Sequence, residues 1–219
     1  EIIMNWKRIP KENSSQPSTG TYKDWKELLS VEGFHQCVYC SISEAEFGGI
    51  RNFHVEHYKP KSLPAFASLV NTYTNLFFAC AICNSFKSND WPGEPTKELN
   101  TPCYPDPSVV DYSELFCVND VGILVGNNLA AKYLIQKIYL NRPQLIINRR
   151  EHLFEEKYLR IKSKLRAQFL VLCEKIESGN DVEKAVGYLR EVQNRISDLE
   201  TLYHRRNNIL PYWECQVHR

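Results

Sequence analysis

The protein has 219 residues, 43% of them hydrophobic and 24% charged, with a net charge of +1. This is the composition of a soluble globular chain long enough to bury a core in one or two domains. It has no apolar run of about 18 residues, as a membrane span needs, and its near-neutral balance is weak for a protein that grips nucleic acid unaided.

The charge is uneven: residues 1–128 hold 10 Lys and Arg against 15 Asp and Glu, and residues 129–219 hold 17 against 11. A phosphate grip would then come from the tail, a few placed lysines, a metal or a partner. No signal peptide is evident. Eight cysteines, four of them in two Cys-x-x-Cys pairs, favour metal over disulfides, so the chain reads as cytosolic. The remaining cysteines, Cys103, Cys117, Cys173 and Cys215, lack ligand-like spacing and are expected as buried free thiols.

In chain order, Pro10–Thr21 is rich in Pro, Ser and Gly and reads as an exposed arm (1–21), with Trp6, Lys7 and Arg8 available to dock. A short helix over Asp24–Leu29 places Trp25, Leu28 and Leu29 on one face and leads into Cys37 and Cys40, with His35 beside them as a surface or supporting residue. The spacing predicts a strand over Ile50–Tyr58, with His54 and Glu56 on one face, then a loop at Pro60 and Pro64 that carries Lys59 and Lys61. An apolar run, Leu76–Ala79, leads to Cys80 and Cys83, and a helix is expected from Asn84. Five prolines between 92 and 108 predict irregular wrapping, and residues 114–126 predict a hairpin turning at Asn119-Asp120. The body therefore spans 22–128. From Leu129 the period becomes helical (129–219): one helix to about Ile138, a long one over 142–178 opened by Pro143, and a third to about residue 207. Phe154, Tyr158, Ile161, Leu165, Phe169, Leu172 and Ile176 form the apolar stripe of an antiparallel helical hairpin, and Pro211 closes the pattern.

Cys37, Cys40, Cys80 and Cys83 supply the four thiolates of a closed tetrahedral structural Zn²⁺ site. Between them stand the groups that phosphodiester hydrolysis needs. His57 is a suitable general base near neutral pH, and Glu56 and Asn84 offer oxygens to a divalent cation such as Mg²⁺, which keeps most of its waters.

The order Cys-x-x-Cys, Glu-His, Pro, Asn-Leu, Cys-x-x-Cys-Asn and Lys over residues 34–90 resembles the HNH endonuclease family. The resemblance implies an α+β fold: a ββα-metal core stapled by zinc, followed here by the helical hairpin. It implies His57 as general base, Asn75 holding the loop together and orienting that base, Glu56 and Asn84 on the catalytic ion, and Lys87 at the phosphate. Lys61, in the loop beside the histidines, and His54, on the strand face of Glu56, are read as further phosphate contacts, with a third metal ligand or a structural role as the alternatives for His54. Glu in place of the commoner Asp or His before the base is a departure. A narrower similarity is to HNH effectors of retron and Septu-type anti-phage systems, which work with an ABC/SMC-type ATPase. It runs over His54–Ser62, Asp106-Pro107, Gly122-Ile123, Leu140–Pro143 and Arg149. It implies a DNA nuclease brought to its substrate by a partner, although Arg142, Arg149 and Arg150 read equally as a solvated helix face. A non-catalytic zinc module, or an RNA or tRNA nuclease on the same core, are the alternatives.

Overall fold

A computed structural model of the protein describes residues 6–12, 16–179 and 181–207. Met4, Asn180, Pro211 and Cys215 lie outside them. The chain divides into two compact units, the first running to Arg150 and the second from Glu151.

The first unit is built on two strands, β1 (Phe53–His57) and β2 (Leu76–Cys80), paired antiparallel from Phe53 opposite Cys80 to His57 opposite Leu76. Every residue of β2 is buried, as its unbroken apolar run requires, and Phe78 stacks on Phe53 at 4.5 Å. The chain passes directly into α2 (Ala81–Lys87), whose first turn is capped by the Cys80 sulfur accepting from the Cys83 amide. Helix α1 (Lys26–Glu32) packs on this sheet through Leu29, and Trp25 just before it is also buried. Leu28, expected on the same face, is exposed instead: Trp25 stands before the helix, and the positions that α1 turns inward are Leu29 and Ser30. The result is a ββα core with short 3₁₀ turns, Pro64–Leu69 and Tyr73–Asn75, in the connection between its strands.

The amino-terminal arm is docked on this core through Trp6, Ile9 and Lys11, while most described residues of 10–21 are exposed. Trp6 is buried against Phe116, and the Ile9 amide donates to Pro107 O at 2.9 Å. The Lys11 ammonium pairs with Glu32 and lies over the rings of Tyr73 and Phe77.

Residues 92–108 wrap without regular structure. They are followed by the hairpin β3 (Phe116–Val118) and β4 (Leu124–Gly126) and by α3 (Leu129–Lys137). Gly122 in the hairpin turn has φ +83°, and a Cβ there would meet Ile146 O at 2.7 Å, so only glycine lets the turn approach α4 this closely. Of the cysteines expected as buried thiols, Cys103 is buried, Cys173 is half-buried and Cys117 is exposed, on the outward side of β3.

Helices α4 (Pro143–Glu177) and α5 (Val182–Asn207) form an antiparallel pair. Tyr158 stacks on Tyr203 at 4.0 Å, and Lys162 meets Glu200 at 2.9 Å. The expected stripe is only partly covered: Tyr158 is buried, most of the others are half-buried and Ile161 is exposed. Two helices shield each other along a single seam, which is narrower than the stripe.

Candidate functional site

Register and direct succession of β2 into α2 bring the two Cys-x-x-Cys pairs together. The Val38 amide donates to Phe78 O at 2.9 Å, laying the first knuckle beside β2, and the four sulfurs all lie within 4.8 Å of one another. The Cys40 and Cys80 sulfurs are 3.8 Å apart, close to the edge of a tetrahedron built on metal–sulfur bonds of ~2.3 Å. All four cysteines are buried, and the donor set fits a structural zinc ion.

Arg142 stands over this cluster, its Nη2 3.5 Å from Cys83 Sγ, 3.9 Å from Cys40 Sγ and 4.0 Å from Cys80 Sγ. A metal bound by four thiolates carries excess negative charge, which this guanidinium offsets. Arg149, also buried, donates to Gly122 O, Leu140 O and Asn141 Oδ1, and Asn141 in turn pairs with both backbone groups of Leu124. These two arginines therefore form no solvated helix face; they tie the hairpin and the start of α4 to the metal-binding knuckles.

The proposed chemistry gathers at the end of β1. Glu56, His57, Lys61 and Asn84 line one recess of ≈ 150 Å³ together with Val55, Pro60, Ser62 and Ser88. His57 is buried, with Nε2 3.0 Å from Val70 O. An N–H must sit on the nitrogen facing a carbonyl, so the neutral ring carries its lone pair on Nδ1. Burial, outweighing the Val70 hydrogen bond, pushes the imidazole down to about 4, and the ring is neutral at neutral pH.

Asn75 makes no hydrogen bond to the ring. Its side chain accepts from the Lys59 amide at 2.8 Å and donates to Lys59 O at 3.1 Å and Leu69 O at 3.4 Å. It thereby closes the loop that presents Val70, and acts on His57 through that carbonyl.

Glu56 is almost fully buried. Its Oε1 takes a 2.6 Å ion pair from Lys87 and a hydrogen bond from Tyr39 OH at 3.1 Å. Burial pushes this carboxyl up, with Lys87 opposing. Both contacts fall on Oε1, so Oε2 is the oxygen left for the recess. The Asn84 amide nitrogen meets His54 Nδ1 at 3.1 Å, which leaves its carbonyl oxygen for the same recess. One carboxylate oxygen and one amide oxygen fit a divalent cation that retains its waters.

Lys87 is not placed for the phosphate contact expected of it. It has no exposed surface; its ammonium lies on Glu56, on His57 O at 2.9 Å and over the Tyr104 ring. It is an internal counter-ion to Glu56. His54 and Lys61 remain exposed, and Lys61 Nζ donates to Tyr22 OH at 2.8 Å.

Tyr22, Lys23 and Lys26 escaped the sequence reading and lie beside this recess. The Tyr22 ring meets His57 edge-on at 4.8 Å. All three line an adjoining recess of ≈ 320 Å³ with His54, Lys61 and Asn84. Two lysines at the start of the predicted helix were the available signal; nothing in the sequence placed that helix next to His57.

Residues 37–90 match the family model for HNH endonuclease. A search of curated proteins finds no match.

Proposed function

From the HNH endonuclease domain that the chain carries at residues 37–90, we propose that the protein is a metal-dependent endonuclease that hydrolyses DNA phosphodiester bonds with His57 as general base. The observation that carries this reading is the pinned imidazole: Nε2–H is committed to Val70 O, and the ring lines the recess shared with Glu56 and Asn84. Nδ1 takes a proton from a water as its oxygen attacks phosphorus, one P–O ester bond breaks, and the leaving oxygen is protonated from solvent. A divalent cation bound by Glu56 and Asn84 would supply charge stabilisation on the phosphate oxygens. Asn75 keeps the Val70 carbonyl, and hence the ring's tautomer, in place.

His57→Ala should lower cleavage of plasmid DNA by at least ~10²-fold, the usual share of a general base, while circular dichroism and zinc content stay at the wild-type level. Wild-type rates from a folded His57→Ala protein would remove the assignment.

An effector role in anti-phage defence beside an ABC/SMC-type ATPase rests on the narrower resemblance. Its segment Leu140–Pro143 with Arg149 is used inside the fold, so it speaks for shared architecture. The acidic balance of residues 1–128 is what favours a DNA-delivering partner. Co-purification of such an ATPase from the native host tests it.

A further inference from the structure

The two recesses at the end of β1 are continuous, since Val55, Lys61 and Asn84 line both. The cations around the outer one differ from several other lysines of the first unit. Lys11, Lys59, Lys87 and Lys137 each meet a carboxylate. Lys23, Lys26 and Lys61 meet none among the described residues. Asp24, next to Lys23 in sequence, has its Oδ2 accepting from the amide and hydroxyl of Thr21. Lys61 lies over the Tyr22 ring, 4.2 Å from its centroid, and that ring abuts His57. Three ammonium groups without an ion pair among the described residues therefore line one concavity in a stretch, residues 1–128, that carries 15 acidic against 10 basic residues. General solubility does not call for cations at this one place.

We propose that Lys23, Lys26 and Lys61, arranged around Tyr22, form a second phosphate subsite that holds a backbone phosphate flanking the one cut at His57. Ammonium groups read charge and not base identity, so the subsite positions a strand without selecting its sequence. Tyr22 links the two recesses, touching the imidazole with its ring edge and Lys61 with its hydroxyl. The proposal rests on the nuclease reading and assigns its substrate-positioning residues.

The test is binding of a fluorescein-labelled DNA duplex of about 20 base pairs, followed by anisotropy over a salt titration in the His57→Ala background, where cutting cannot interfere. Losing the one phosphate held there through Lys23→Gln with Lys26→Gln should reduce the slope of log K against log salt by about 1, and weaken binding roughly 8-fold near 0.1 M salt. Lys132→Gln, an exposed cation outside both recesses, should leave the slope unchanged. With His57 present, the Lys23/Lys26 variant should raise KM and spare kcat. An unchanged slope in a folded double variant overturns the subsite. If the slope falls while the wild-type protein cuts no DNA with any divalent ion, the subsite stands and the nuclease reading fails.

Discussion

Lys87 carries a charge into a place where water does not reach it, and Glu56 answers it at 2.6 Å. Breaking such a pair strands the partner, at a cost of about 3–5 kcal/mol. Lys87→Met should therefore destabilise the protein by that order in urea unfolding, and Glu56→Gln added to it should recover much of the loss. Asp90 gives a second residue-level prediction. Burial pushes its carboxyl up, but hydrogen bonds from Tyr133 and Tyr104 and the charge of Lys137 hold it below its usual value. A depressed carboxylate stabilises the fold above the unfolded pKa of about 3.9 and loses that contribution as pH falls through the folded value. Asp90→Asn should thus lower the melting temperature at neutral pH, with the gap to wild type closing in acid. Glu56, His57 and Asn84 were legible as a constellation because strand period and knuckle spacing fix their relative places. The burial of Lys87 was not legible, since it depends on Tyr39 and Tyr104, which are remote in sequence.

At the level of elements, the junction of α3 and α4 holds the part of the site that sequence reading left undecided. Helical period placed both helices correctly and Pro143 opens α4 as expected. Period alone does not reveal that Arg142 reaches across roughly 60 to 100 positions of chain to the cysteines. Groups that support a metal's ligands are commonly worth ~10- to 100-fold in affinity. Arg142→Gln should accordingly release zinc to a chromophoric chelator at ~10- to 100-fold lower competitor concentration, with Arg142→Lys in between. Equal retention in all three proteins would show that the contact is incidental.

Over the whole molecule, the basic excess attributed to the tail sits almost entirely in one short stretch. Residues 129–150 hold 5 basic and no acidic residues, whereas residues 151–219 hold 12 against 11. Of those five, Arg142 and Arg149 are built into the scaffold and Lys137 meets Asp90 at 3.6 Å. The helical pair is thus no reservoir of positive charge, and the lysines near His57 are better placed to meet a phosphate. Every residue assigned to the metal cluster and to the two recesses lies before Arg150, inside the first unit. A chain ending at Arg150 should therefore keep one zinc per molecule and a cooperative melt. Absence of metal from that chain would show that the second unit is needed to form the first.

The Asn75 side chain bonds both backbone groups of Lys59 across 16 positions and stitches the neck of the excursion between the strands. What lies from Leu63 to Ser68 lines neither recess beside His57. Such a loop can be lengthened, shortened or exchanged like a cassette while the imidazole stays where it is.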